Sequence, residues 1–417
     1  MIAYQKYVLA NGLTLIVQEQ PSTPLVTVNT LYKVGARDED PSRTGFAHLF
    51  EHLMFGGTPV VPDYDAVVSR VGGESNASTC NDFTNYYLTV PNRYLETALW
   101  LESDRMRQLD FSKRSLEVQQ SVVTEEYHYR YVNQPYGDKW MLLRPLCYKR
   151  HPYRWCTIGS DIRHVQDATI DDVKHFFGRY YRPNNAILSV VGDVKAEQVL
   201  RLVEKWFGDI PVGEPVEHHL PQEPEQTEAR QLTVSRPVPS NALTLGYVMC
   251  DRLSPDFCAT DLISDILSSG RSSRLYNELV KRQGLFTEVD AYITGDADKG
   301  LFVVDGKLCP DVSFDQARQA IELQLSNLSD QPLEASELEK VVNRYESTFA
   351  YSQYKSLDCA MALCYYERLG HLEWINDEPF HYRQTTPDDI RRVAGSLFRP
   401  TKQCALHYEA QEPIQTI

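Results

Sequence analysis

The chain has 417 residues, 42% of them hydrophobic and 24% charged, with a formal net charge of −15. That length suggests two domains or more; no eighteen-residue apolar stretch offers a membrane-spanning helix, and the acidic balance argues against a nucleic-acid surface. Nine cysteines, an odd count without a CxxC pair, read as reduced thiols and not as a disulfide framework.

Taken in chain order, Tyr4–Leu9 and Leu13–Gln18 flank the hairpin-forming pair Asn11-Gly12. Leu25–Val34 alternates as a strand, Phe46–Phe55 has helical spacing, and Thr84–Val90 is aromatic and β-prone. Arg93–Leu109 and Lys113–Tyr131 again show helical spacing. Strands gathered early and helices later predict an α+β half, an antiparallel or mixed sheet with helices packed on one face.

Pro211–Glu228 holds four prolines and many acids and little apolar periodicity, which reads as an exposed linker. It divides the chain into 1–210, 211–228 and 229–417. The halves repeat. Thr169–Pro183 lines up without gaps on Thr386–Pro400 at an offset of 217, each with a capped helix start and a stop before proline. The same offset pairs Leu25–Leu31 with Ala242–Val248. Two similar α+β domains arising by internal duplication are expected.

His48-Leu-Phe-Glu51-His52 is the segment richest in chemistry. Residues four apart on a helix lie one turn above each other, so both imidazoles can meet one cation. Imidazole nitrogen with carboxylate oxygen suits zinc, and Glu51 would stand where it can take a proton from a metal-bound water. A third ligand must come from elsewhere. Leu116–Arg130 is helical and carries Glu125 and Glu126, between which spacing alone does not choose; His128 is a weaker alternative.

The run Gly45–Thr58 around these histidines resembles the metal helix of the pitrilysin family of inverted-motif zinc peptidases. The similarity extends over the whole chain: Gly72–Thr79 with Asp82, Thr84 and Tyr86-Tyr87, then Val122–Glu126, then Pro183–Ala186 with Val190–Asp193. The resemblance implies a zinc metalloendopeptidase with His48, His52 and Glu126 as ligands and Glu51 as general base. It further implies that Phe55 lines the pocket beside the metal and that Asn76 and Ala77 pair with an extended peptide, by strand addition to an open sheet edge. A supporting glutamate common in the family is Gln119 here.

One departure matters. Self-sufficient members supply an Arg and a Tyr from the second half to hold substrate and oxyanion; the matching positions here are Val280 and Thr287. Valine cannot donate and threonine is too short to replace a phenol. Losing one oxyanion donor costs about two to three orders of magnitude in rate. Arg282 and Arg274 lie nearby, off the family spacing. The metal motif is also absent from the second half, where Asp265, Ser268 and Ser269 occupy its positions at offset 217. The expected partners are therefore peptides and a second subunit of the same fold, in a heterodimer or homodimer. The other reading is a non-catalytic peptide-binding or assembly subunit. The thiols and the polar N-terminus favour a cytoplasmic setting, or a periplasmic one if a signal has been removed.

Overall fold

The computed structural model describes residues 1–411. They form two compact units, each assembled from both halves of the sequence. The first comprises Met1–His128, Trp155–Leu220 and Phe349–Asp377; the second comprises Tyr129–Arg154, Pro221–Thr348 and the chain from Glu378 onward.

The first unit is built on strands β1 (Gln5–Val8), β2 (Thr14–Glu19), β3 (Leu25–Tyr32), β4 (Glu74–Thr79), β5 (Thr84–Pro91) and β6 (Ala186–Gly192), in the order β1-β2-β6-β3-β5-β4. The β1–β2 hairpin turns at Asn11-Gly12 as its sequence predicts, with Gly12 at φ +85°. The β2–β6 pairing is parallel and the others antiparallel. Seven of the eight residues of β3 are buried, because it lies between β6 and β5 with both faces covered. Strand β4 is an edge: it pairs with β5 alone, with Asn76 opposite Tyr87 and Ala77 opposite Tyr86. Helices α1 (Phe46–Leu53), α2 (Tyr64–Arg70), α3 (Leu95–Arg107) and α4 (Lys113–Tyr127) belong to this unit. On the face to which Thr30 points, its hydroxyl donates to Glu102 of α3 at 2.8 Å.

The second unit carries β7 (Arg230–Arg236), β8 (Ala242–Val248), β9 (Phe286–Ile293), β10 (Leu301–Leu308) and β11 (Cys404–Ala410), ordered β7-β11-β8-β10-β9. This is the first sheet without its leading hairpin strand. The β7–β11 pairing is parallel, matching β2–β6. The starts of β3 and β8, of β5 and β10, and of the capped helices Ile170–Tyr180 and Pro387–Leu397 are all 217 apart. Each of those two helices opens on a capping box, Thr169 with Asp172 and Thr386 with Asp389. The repeat seen in the sequence is a repeat of topology.

Each sheet has a second covered face that the linear sequence does not announce. In the first unit, the face carrying Ile16, Leu31, Ile187 and Val191 is closed by the helix Ser356–Leu369, through Cys359, Ala360, Leu363, Cys364 and Tyr366. Ser189 donates its hydroxyl to the Ala360 carbonyl at 2.7 Å within that contact. In the second unit, the helix α5 (Lys139–Cys147) lays Leu143 and Cys147 on Ala242, Leu301, Val303, Cys404 and Leu406. The opposite face of that sheet packs on its own half's helices through Leu262, Ile266, Ile390 and Val393. Lys139 and Ser356, where the two exchanged helices begin, are also 217 apart. Thus each half keeps its own helices on one face of its sheet and lends an equivalent helix to the other sheet. The linear division at 211–228 misses this exchange, because amphipathic spacing shows that a helix has an apolar face but not which sheet receives it.

The proline-rich stretch has neither helix nor strand, yet it is pinned along its length. His218 Nδ1 lies 2.6 Å from Asp38 Oδ1 in the first unit. In the second, the Glu223 carboxylate accepts the consecutive N–H groups of Lys149, Arg150 and His151 at 2.7–2.9 Å. No helix among the described residues is long and apolar enough to cross a membrane.

Candidate metal centre

Helix α1 exists because one face is apolar: Phe46, Ala47, Leu49, Phe50 and Leu53 are buried. Phe50 stacks on Phe176 at 4.7 Å and on Tyr181 at 5.2 Å, which anchors the helix to the body of the unit. Anchoring from that side turns His48 and His52 toward α4, with ring centroids 4.8 Å apart and planes nearly perpendicular.

Glu126 meets them from α4. Its Oε2 lies 3.5 Å from His48 Nε2 and 3.3 Å from His52 Nε2. Glu125, the acid that spacing could not separate from it, is exposed to solvent, as is His128. Among the described residues, His48, His52 and Glu126 form the one set of three such side chains whose ligand atoms all fall within 4.8 Å of one another. Zinc bound tetrahedrally at about 2.0–2.1 Å sets its donors about 3.4 Å apart, and the two histidine–carboxylate separations match that edge. Two imidazoles and one carboxylate are also the donor set of a catalytic zinc site.

Glu51 projects from the same helix, beside the cluster and not within it. Burial raises its carboxyl above the ordinary carboxylate range, and nearby Glu126 adds to the rise; Thr79 at the end of β4 and His52 oppose it. A carboxyl shifted upward accepts and releases a proton closer to neutral pH.

The edge strand β4 presents Asn76 to solvent and buries Ala77. The Asn76 side chain accepts the Ala77 N–H at 2.8 Å, so this edge donor is already occupied by its neighbour. Phe55 follows α1 and meets Tyr64 edge-on at 5.5 Å, with the Arg105 guanidinium 5.4 Å from its ring. Arg105 is itself fully buried, ion-paired with Glu102 and set over the rings of Tyr64 and Tyr86 at 4.7 and 4.8 Å. Tyr64 donates to Glu102, and Thr58 to Asp104. Sequence reading did not single out this buried Glu-Ser-Asp-Arg run. The available signal was Glu102, which falls on the apolar stripe of Leu95, Leu99 and Met106 where a charge is out of place.

In the second unit, Val280 packs against the core and Thr287 lies exposed on β9, donating weakly to the Lys307 carbonyl at 3.3 Å. Arg282 pairs with Glu278, and Arg274 makes two bonds of 2.9 and 2.7 Å to Glu337. Both arginines that could have replaced the missing donor are held by carboxylates. Of the residues standing where the metal motif would repeat, Asp265 is pushed up by burial and Ser268 donates to the Ala291 carbonyl at 2.7 Å.

Two family models match the chain: "Insulinase (Peptidase family M16)" over residues 14–137 and "Peptidase M16 inactive domain" over residues 167–345. The first covers the metal cluster. The chain is 30% identical over 405 residues to the zinc protease PqqE of Helicobacter pylori, covering 96% of this chain and 91% of that one. It is 26% identical to the uncharacterized zinc protease SCO5738 of Streptomyces coelicolor, over 93% of this chain and 86% of that protein. A crystal structure of a protease from Helicobacter pylori superposes with a TM-score of 0.91 at 29% identity, covering 98% of this chain and all of that chain. Pitrilysin superposes at 0.77 and 17% identity over 45% of its length, a likeness of fold. With topology, duplication and metal cluster in agreement, the chain belongs to the insulinase family of peptidases, family M16.

Proposed function

We propose that this chain is the zinc-bearing, catalytic subunit of a metalloendopeptidase acting on short or unfolded peptides. The observation that carries this reading is the convergence of His48, His52 and Glu126 with Glu51 at their side. The two Nε2 atoms and the Glu126 carboxylate would hold the ion. Zinc held there would supply Lewis acidity toward a scissile carbonyl and would bring the pKa of a coordinated water near neutrality. Glu51, already raised by burial, takes the proton the water gives up and passes it to the departing amine. Strand β4 receives an extended peptide through backbone hydrogen bonds once Asn76 releases the Ala77 N–H. Phe55, braced by Tyr64 and Arg105, forms an apolar wall.

The second half lacks the Arg/Tyr pair, and its nearby arginines are engaged in ion pairs. On this reading a different subunit of the same fold, bearing the Arg/Tyr pair, provides oxyanion and substrate contacts in a heterodimer. The same loss favours a second reading, a peptide-binding or assembly subunit without catalysis.

A quenched peptide assayed with the purified chain, alone and mixed with an Arg/Tyr-bearing homologue, separates these. Stoichiometric zinc with cleavage rising on mixing is expected. Glu51→Gln should keep the zinc and lose about two to four orders of magnitude in kcat. Glu126→Gln should lose zinc while Glu125→Gln keeps it. Peptide cleavage untouched by Glu51→Gln rules the mechanism out, and zinc without cleavage in any mixture supports the second reading.

A further inference from the structure

Nothing in the metal cluster itself explains what fixes the start of α1. The first N–H groups of any helix have no partner within it and need a cap. The N-cap here is Gly45, at φ +90°, a conformation that disfavours other residues. A Cβ at this position would lie 2.7 Å from the Ile158 carbonyl oxygen and 2.9 Å from a Val165 methyl. The position is closed to the Ser, Thr, Asp or Asn side chain that ordinarily caps.

Glu39 fills that role from six residues upstream. Its Oε2 accepts the Gly45 N–H at 2.9 Å and its Oε1 the Ala47 N–H at 2.8 Å. The side chain is buried, and the segment bearing it is fixed from two sides and by a bond of its own turn. Trp155 Nε1 donates to the Ala36 carbonyl at 2.9 Å, the Tyr180 hydroxyl donates to the Asp38 carbonyl at 3.0 Å, and the Gly35 N–H donates to Asp38 Oδ2 at 2.9 Å. Ala47 directly precedes His48. The carboxyl therefore grips the backbone one residue before His48.

We infer that Glu39 is the positioning residue of the metal helix, setting the first turn of α1 so that His48 and His52 face Glu126. It touches no metal and no substrate. The inference rests on the zinc reading proposed above. A residue that merely stabilises the fold would lower the melting temperature of the metal-free protein and leave zinc affinity alone. A positioning residue must move zinc affinity in protein that is still folded.

The test uses the full chain stripped of metal, titrated with zinc against a chromophoric chelator at 25 °C, with circular dichroism reporting the fold. Glu39→Ala removes both acceptors and should weaken zinc binding tenfold to a hundredfold, as loss of a ligand-orienting partner commonly does. Glu39→Gln keeps one acceptor but sets an NH2 against the other N–H, and should weaken binding several-fold, less than alanine. Zinc affinity within twofold of the unsubstituted chain in both variants overturns the inference, whatever happens to the melting temperature. If the alanine variant does not fold, the glutamine variant decides by the same criterion. An unsubstituted chain that takes up no zinc overturns the zinc reading itself, and this inference with it. Zinc uptake that is merely indifferent to Glu39 overturns the inference alone.

Discussion

Glu39 illustrates how one buried carboxyl couples stability to pH. Burial pushes it up to about 8, against the Ala47 and Gly45 N–H groups that pull it down; Asp38 adds to the rise. A folded-state value above the ordinary one of 4.5 means that the folded chain holds this proton more tightly than the unfolded chain. Its stabilising contribution is complete below about pH 4.5, declines as pH rises toward 8, and is gone beyond. A tenfold difference in proton affinity is worth about 1.4 kcal/mol, so the full window spans up to a few kcal/mol. Glu39→Gln carries no such proton. Urea unfolding of the metal-free protein at about pH 5.5 and pH 8 should show the unsubstituted chain losing more stability than the variant over that interval. Parallel losses would refute the assignment. The same scale separates what was readable in the sequence. His48 and His52 declare themselves through their spacing of four. Glu125 and Glu126 do not, because adjacent acids on a helix differ only in direction, and direction depends on how α4 is rolled against α1. Glu39 sits in the polar run Ala36–Asp40, which reads as an exposed turn; only the tertiary approach of Gly45 buries it.

Elements carry the next layer, and α3 is the informative one. Its helical spacing over Arg93–Leu109 was legible, and the helix runs Leu95–Arg107. Its polar centre was not, since a charge on an apolar stripe gives no notice of the partner that neutralises it. Here Glu102 takes hydrogen bonds from Thr30 of β3 and Tyr64 of α2 and pairs with Arg105, whose guanidinium lies between aromatic rings. The group joins α3, α2, the sheet and Phe55 through a buried ion pair. Removing one partner of such a pair strands the other charge, at about 3–5 kcal/mol. Arg105→Met should therefore lower the unfolding free energy by about that amount. Glu102→Gln combined with Arg105→Met should recover a large part of it, because no lone charge then remains inside. Urea denaturation of the metal-free single and double variants makes the comparison. A double variant less stable than Arg105→Met would show that the pair's worth is not electrostatic.

At the scale of the whole molecule, the offset of 217 predicts two equivalent sheets, and two equivalent sheets are found. What it leaves open is how each sheet closes its second face. The exchange of α5 for the helix Ser356–Leu369 answers that, and it makes the halves of the sequence dependent on one another. A fragment ending at Leu220 keeps His48, His52 and Glu126 and every strand of the first sheet, but lacks the helix that covers Ile16, Leu31, Ile187 and Val191. It also carries α5 with Leu143 and Cys147 and no sheet to receive them. Exposed apolar surface of that kind drives association or prevents a unique packing. The complementary fragment from Pro221 has the converse defect. Expressed singly, each should aggregate or melt without a cooperative transition, although the first contains His48, His52 and Glu126. Expressed together they should co-purify as a one-to-one complex that melts cooperatively and binds zinc, because each supplies the helix the other lacks. Size-exclusion chromatography and thermal melts of the single and paired fragments decide the point. A monomeric, sharply melting fragment 1–220 that holds zinc by itself would show that the exchanged helix is an accessory to the first unit and not part of its core.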